Sequence, residues 1–514
     1  MRPRRWHDLD ALRGFAMLLG VALHAALSFY PTVWPVTDVT ADIDSYFDEF
    51  VLAVHGFRMP LFFMLSGFFT VLLWRRRGLH DLLWHRTRRL LFPFILAVIL
   101  IGPTVTWVSD RAIEAQLTDA ADINGAVYLG HEAAVRSLIE AGVDPNAAGS
   151  DGNTPVYAAA ITGDAAMVEL LLELGADPNI PNPDGMPVDV AAYFGHREAA
   201  EALLSGGSYD PRPPEGAWEE LPYWALGDVT ELGLDDPSEP ALPSLHHLWF
   251  LWFLILFVLL FAPVAWLTER LEARRAPGSP TPPWPRWLMW ALVPAVVLPQ
   301  LAMEGGGAIP AFGPDTSISW IPDRVVFAYY LLFFGFGALL YGRADRSGAS
   351  IVDTVGHRWW LVLPAAAVVF LVALWTTHDL DPVSGAPVEV VGASLQVLYA
   401  WLMVFGLMGL FRAALSRERY GVRYLSDSSY WMYLTHLTLV IALQAWVRTW
   451  EANALLKFGL IVLTTCAILL ILYQLVVRYT FIGTMLNGPR TRPAGSRSPL
   501  ERIRAGLRRP ATSQ

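Results

Sequence analysis

Apolar runs long enough to cross a bilayer recur along most of the chain, separated by short polar stretches. A hydrocarbon core needs about 20 apolar residues in a helix. Leu248–Leu267, Val391–Phe411, Ser428–Val447 and Phe458–Val477 meet that requirement without a formal charge. Gly14–Trp34, Val51–Trp74, Leu90–Val108, Trp287–Met303, Val325–Gly342 and Trp359–Thr376 are weaker or interrupted runs of the same kind. The pattern predicts an all-α fold, a polytopic membrane bundle of about ten transmembrane helices. It breaks once, between the third and fourth runs, where the long apolar stretches give way to a soluble-type sequence.

Charge orients the helices. Arg2, Arg4 and Arg5 precede the first run, and Arg75–Arg89, read as the first return loop, holds six Arg against one Asp. Arginines near 270–286, 343–358 and 412–423, and the tail from Arg490, fall on the same side of the alternation. Asp38, Asp42, Asp44, Asp48, Glu49, Glu304, Asp315, Asp379 and Asp381 fall on the other. Lys and Arg mark cytoplasmic loops, so both termini are expected in the cytoplasm. The first run mimics a signal peptide, but Asp8 and Asp10 precede it and more spans follow, so it reads as a retained helix.

Composition narrows the class further. Hydrophobic residues make up 54% and charged residues 16%, where a soluble domain carries about a quarter charged. A net charge of −10 without a sustained basic stretch argues against nucleic acid as a partner. The one cysteine, Cys466, excludes an intramolecular disulfide and a thiolate cluster, and no metal ligand set is expected.

The soluble-type segment has its own grammar. Residues 108–244 hold 25 Asp and Glu against 4 Arg, a net of −21. LIEAGVDPN ends at Asn146 and LLLELGADPN at Asn179, and Asp151-Gly152 recurs as Asp184-Gly185, each after 33 residues. This period, with DG-x-TP, an alanine-rich first helix and GAD-P-N, resembles the ankyrin repeat. Residues 109–207 are therefore expected to form an ankyrin α-solenoid between helices 3 and 4, followed by an acidic Pro-rich linker, 208–244. The membrane part is expected over 1–108 and 245–484, with a basic cytoplasmic tail over 485–514. The charge alternation places the repeats outside the cytoplasm. They would bind a protein partner, or act as a spacer over the membrane part.

Ionisable groups inside a span are expensive and usually functional. Arg13 and His24 lie eleven residues apart on the first helix, on one face to within about 20° and about 16 Å apart along the axis. Asp10 is placed to pair with Arg13. His436 lies within the ninth run, His55 and Arg58 enter the second from its outer end, and His246, His247 and Trp249 stand at the outer mouth of the fourth. Arg86 and Arg89 belong to a dense inner cluster that could present two guanidinium groups to a phosphate-bearing ligand. Each has a plainer reading, as a structural histidine or a positive-inside arginine.

LDALRGFAMLLGVALH (Leu9–His24), FRMPLFFMLSGFF (Phe57–Phe69), HRTRRLLFP (His85–Pro93), HLWFL (His247–Leu251) and LSDSSYWMYLTH (Leu425–His436) together resemble the acyltransferase 3 family. The resemblance implies a ten-span bacterial inner-membrane enzyme that acylates extracytoplasmic glycans, with a branch associated with succinylation of periplasmic glucans most similar. It implies an Arg-x10-His motif at Arg13 and His24, with Asp10 as orienting partner, and an Arg-x-x-Arg motif at Arg86 and Arg89 for acyl-CoA. Succinyl-CoA or acetyl-CoA would be the donor substrate, with no permanently bound cofactor and a glucan or other polysaccharide as acceptor. His247, Trp249, His55, Arg58 and His436 would bind the acceptor or relay protons. His24 would act as general base or carry the acyl group itself. The ankyrin insert departs from the family's usual pattern, and the short basic tail stands where many relatives carry a hydrolase-like domain. A transporter or flippase of an anionic solute, and an ankyrin-based sensor, are the rival readings.

Overall fold

The structure, a computed structural model, describes residues 6–30, 34–39, 46–120, 122–149, 152–182, 185–193, 195–208, 244–274, 286–303, 312–343, 357–378 and 386–488. The expected linker at 208–244 and the basic tail fall almost entirely outside these residues. So do Arg2, Arg4, Arg5, Asp42, Asp44, Glu304, Asp379 and Asp381. Every described element is helical, apart from an isolated β-bridge between Asn182 and Gly185. The chain divides into two compact units, 1–106 with 242–514, and 107–241.

In the first unit, α1 is His7–Ala26, α2 Tyr46–Arg86, α3 Phe92–Leu100 and α4 Gly102–Ala120, whose later residues belong to the second unit. The stretch Arg75–Arg89, expected as a loop, is helical apart from a kink at Gly78 (φ 81°). Glycine alone adopts that conformation freely. The Leu79 N–H displaced by the kink donates to the Glu269 carboxylate at 3.1 Å, which also accepts from Trp74 Nε1 at 2.7 Å.

The second unit holds six short helices in three pairs: α5 Ile123–Tyr128 with α6 Glu132–Glu140, α7 Pro155–Thr162 with α8 Ala165–Glu173, and α9 Pro187–Tyr193 with α10 Arg197–Ser205. Thr154 caps α7 by accepting from Tyr157 N, with Pro155 at the first helical position, and Asp164 caps α8 by accepting from Met167 N. Both are strong helix-start signals. Ala158–Ala160 and Val168, Leu170 and Leu171 are buried between the pairs. Asparagines one period apart stitch the pairs together. Asn146 Oδ1 accepts from Asp177 N at 2.7 Å, and Asn179 Nδ2 donates to Gly207 O at 3.2 Å.

The first unit continues with α11 Trp249–Ala273, α12 Arg286–Ala295, α13 Val297–Ala302, α14 Arg324–Leu340, α15 Trp359–His378, α16 Ala386–Leu415, α17 Tyr420–Val447, α18 Ala454–Leu472 and α19 Phe481–Asn487. Among the described residues six helical stretches are long and apolar enough to cross a membrane, and Trp287–Ala302 and Arg324–Leu340 are shorter apolar ones. Helix α17 is long enough at 28 residues but is not one of the six. It begins at Tyr420, before the apolar run, and carries Ser426–Tyr430 and His436. Leu259, Leu371 and Leu463 are exposed, an outward apolar face suited to lipid.

Glycines let two helices touch backbone to backbone. A Cβ on Gly67 of α2 would collide with Phe334 O of α14, and one on Gly337 would collide with Met64 O. Small residues at such a crossing allow the tight packing that holds helices together in lipid. Gly67→Ala or Gly337→Ala should cost at least about 2 kcal/mol by overpacking. Gly459→Ala, facing open space, should be tolerated. Thermal unfolding in detergent monitored by intrinsic fluorescence checks both.

Candidate active site

The candidate site is built where α1 meets α17. Asp8 near the start of α1 pairs with Arg412 Nη1 at 3.0 Å, which anchors that end. At the other end, the last carbonyls of a helix lack partners within it. Gln444 Nε2 of α17 supplies them, donating to His24 O at 2.9 Å and Ala25 O at 3.2 Å. Gln444 Oε1 accepts from Trp34 Nε1 at 3.0 Å, and the Trp34 ring lies nearly parallel to His24 with centroids 5.8 Å apart.

These contacts bring His24 against His436: His24 Nδ1 and His436 Nε2 are 2.7 Å apart. The hydrogen-bond network assigns the proton between them. His436 Nδ1 lies 2.8 Å from Tyr433 O and 3.1 Å from Met432 O. Carbonyl oxygens only accept, so His436 Nδ1 carries the proton and Nε2 its lone pair. His24 Nδ1–H is then the donor to His436, and His24 Nε2 is left as a basic nitrogen without a hydrogen-bond partner among the described residues.

His247 joins the pair from a short 3₁₀ turn, His246–Leu248, ahead of α11. His246 has φ 44°, the one non-glycine residue with positive φ among those described. Such backbone strain persists where surrounding structure enforces it. Here it separates two consecutive histidines. His246 Nε2 lies 3.1 Å from Thr106 Oγ1, whereas His247 is buried, with Nε2 3.2 Å from Leu434 O and its ring edge-on to His436 at 5.1 Å. The Tyr433 hydroxyl donates to His247 O at 2.6 Å.

His24, His247, His436, Arg58, Trp249 and Tyr433 line a small chamber of about 40 Å³. A hydroxyl entering it would meet a neutral imidazole base whose other nitrogen already donates to a second imidazole. That second ring can receive a share of the charge formed on proton abstraction, the task a carboxylate performs in a Ser-His-Asp triad. The rings are not arranged as a metal-ligand set, because two of their nitrogens face each other. Among the described residues no cluster of three or more His, Cys, Asp or Glu is placed to hold a metal.

A larger cavity of about 790 Å³ lies against the opposite part of α1. Asp10, Arg13, Arg86, Arg89, Arg423 and Arg478 are among its lining residues. A single π-helical turn, Thr87–Leu91, follows α2 and carries Arg89 just after Arg86. Such turns are frequent at functional sites. The Tyr430 hydroxyl holds that turn by donating to Arg89 O at 2.9 Å. Arg86 Nη2 donates to Thr70 Oγ1 at 2.8 Å while its Nε is buried without a partner. Asp10 and Arg13 approach only to 3.9 Å. Met17, Phe62 and Phe250 line both cavities, forming an apolar septum between them.

Residues 6–127 and 221–474 match the acyltransferase domain of the acyltransferase 3 family, which is most of the chain. The chain belongs to that family. Residues 123–212 match ankyrin repeats in three copies. Over 99 residues, 19% of this chain, it is 31% identical to glucans biosynthesis protein C of Escherichia coli strain K12 and of strain SMS-3-5. The match spans about a quarter of the length of those curated relatives, 25% in each case.

The structure thus sorts the sequence candidates into two groups. His24, His436, His247, Arg58 and Trp249 share the chamber, although the sequence pattern set His247 at the rim and His24 and His436 deeper. Arg13, Asp10, Arg86 and Arg89 share the arginine-lined cavity. His55 lines neither; its Nε2 lies 2.7 Å from Pro314 O. Sequence reasoning missed Trp34, Tyr433, Gln444, the septum, Arg423 and Arg478. Gln444 carried a usable signal, being a lone amide in an apolar run eight residues after His436.

His436→Ala removes the acceptor for the His24 Nδ1 proton, and should lower acyl transfer by about 10²–10⁴-fold, the usual size of a lost acid–base contribution. His436→Gln, which retains an acceptor, should recover part of the rate with the donor KM little changed. Steady-state kinetics on reconstituted protein checks both.

Proposed function

We propose that this membrane acyltransferase moves a short acyl group from cytosolic acyl-CoA, succinyl-CoA or acetyl-CoA, to a hydroxyl of an extracytoplasmic glycan, a periplasmic glucan foremost. The observation that carries the reading is the His24–His436 hydrogen bond, which leaves His24 Nε2 as a free base. Met17, Phe62 and Phe250 line both the chamber that holds this base and the arginine-lined cavity, so the two adjoin across that septum. Arg86 and Arg89 would bind donor phosphates, with Arg13 and Asp10 beside them. The pantetheine arm would part the septum and deliver the thioester to the chamber.

In the reaction the glycan hydroxyl oxygen attacks the thioester carbon while its proton passes to His24 Nε2. The tetrahedral intermediate collapses with cleavage of the C–S bond, and the proton passes from His24 to the departing CoA thiolate. The products are the glycan ester and CoA, and no oxidant or permanent cofactor is needed. His247 and Trp249 would guide the acceptor, and His436 would share the charge on His24.

The reading includes ten crossings of a bacterial inner membrane, both termini in the cytoplasm and the repeats outside it, where they would hold a protein partner. It is supported by the arginine-rich side of the charge alternation and by the apolar helices.

Release of CoA by protein in nanodiscs, from acetyl-CoA and succinyl-CoA, with and without a glucan acceptor, tests the activity. Acceptor-stimulated release should disappear in His24→Ala; release unchanged in that variant would remove His24 from the chemistry. A quenched wild-type reaction that yields acyl-histidine would replace the base with a covalent relay. Met17→Trp, which fills the septum, should abolish transfer while donor binding to the arginine-lined cavity persists. On a Cys466→Ser background, Glu140→Cys should react with a membrane-impermeant maleimide on intact cells and Asp81→Cys should not. The opposite pattern would invert the topology.

A further inference from the structure

The chamber holds a charge that the transfer step does not require. Arg58 lines it together with three histidines, and no Asp or Glu is among the lining residues. Arg58 makes no hydrogen bond or ion pair with any described residue, and its Nε is buried without a partner. Tyr433, beside it in the chamber, donates its hydroxyl hydrogen bond to His247 O. A second feature makes room for the guanidinium. A Cβ on Gly20 of α1 would sit 2.6 Å from Arg58 Nη1, so the glycine lets the planar group lie against the helix that carries His24.

Taking a guanidinium out of water without a counter-ion is unfavourable, and the arrangement is expected where an anion arrives with the substrate. Arginine presents paired donors that match a carboxylate in two-point contact. Chamber size limits the choice. At about 40 Å³ the chamber is small beside the arginine-lined cavity of about 790 Å³, which favours a short acyl group over a long chain. The phosphates of the donor have the arginine-lined cavity on the other side of the septum.

We propose that Arg58 selects the acyl group, binding the free carboxylate of a donor whose transferred group is a short dicarboxylic half-acid. This rests on the acyl-CoA reading above and decides between its two donors in favour of the succinyl type. Arg58 is then the residue that sets donor specificity, while His24 performs the proton transfer. Two-point contact with Arg58 would also hold the thioester carbon at a fixed distance from His24 Nε2, which positions it for attack.

The experiment compares succinyl-CoA with acetyl-CoA and butyryl-CoA, the last having the carbon count of the succinyl group without its charge. In Arg58→Gln the ratio of kcat/KM for succinyl-CoA to that for butyryl-CoA should fall by about 100-fold or more, as expected when a site built for a polar group loses it. Gly20→Ala, which must push the guanidinium aside without removing it, should lower the same ratio to a lesser degree. A parallel fall for all three donors would overturn the proposal and assign Arg58 to a feature they share, such as the developing oxyanion. Binding of the three thioesters to His24→Ala protein, followed by thermal shift, reads the same selectivity without turnover. Stronger binding of succinyl-CoA that disappears on adding Arg58→Gln supports the role, and equal binding of all three overturns it. Wild-type protein that binds succinyl-CoA selectively but turns over no donor would instead count against the transferase reading alone.

Discussion

Polar groups removed from water must find partners within the protein, and those partners set the geometry of α17 against α1. Along α17, Ser426 Oγ donates to Asp10 O at 2.7 Å, Tyr430 to Arg89 O, Tyr433 to His247 O and Gln444 to the last carbonyls of α1. Each bond costs little to form and much to leave unmade in an apolar setting. Together they fix the rotation and height of α17. Gly14 permits the approach, since a Cβ there would lie 3.0 Å from Ser426 Cα. With both helices so constrained, His24 Nδ1 meets His436 Nε2, and one nitrogen of the pair is left over. The basic atom is what the bonds of the His24–His436 pair leave over.

The same accounting separates partnered charge from unpartnered charge. Lys457 and Asp38 are almost fully buried and completely partnered, with Nζ at 2.9 and 3.1 Å from the two carboxylate oxygens and 3.3 Å from Arg448 O. Such a pair ties segments together and offers nothing to a ligand. Arg58, Arg86 and Arg89 differ. They are only partly buried, where Lys457 is fully so, and they keep donors unsatisfied. Arg58 has no acceptor, Arg86 keeps a buried Nε unpaired, and Arg89 has no side-chain acceptor among the described residues. Their positions on either side of an apolar septum suit an elongated ligand with anionic groups at both ends.

Much of this was legible in the sequence because it depends on periodicity and on misplaced polarity. Apolar runs marked the helices, the 33-residue period marked the repeats, and ionisable residues within the runs marked most of the chamber. Three things were not legible. Arg75–Arg89 looked like a loop because of its charge density, yet a helix tolerates charges on one face, and only Gly78 interrupts it. His247 seemed peripheral because distance along a helix was counted from its end, whereas the left-handed turn at His246 folds it inward. The septum of Met17, Phe62 and Phe250 was invisible because apolar residues in an apolar helix carry no signal of what they separate. His55 was legible as an ionisable residue within a span, and the structure places its Nε2 against the Pro314 carbonyl, outside the lining of both cavities.

The septum and the chamber size bear on a problem that every such transferase must solve. Water and a sugar hydroxyl are nucleophiles of similar strength, and a base that activates one activates the other. Discrimination must come from exclusion and positioning. A small chamber, about 40 Å³, can be emptied of water by the acyl group and the acceptor hydroxyl together, leaving no third nucleophile beside His24 Nε2. Apolar side chains toward the donor cavity would close around the pantetheine arm and admit little water. A wider chamber would accept more donors and lose more thioester to hydrolysis. In the proposed reaction a tight fit around His24, His247, His436 and Arg58 would therefore serve yield as well as specificity.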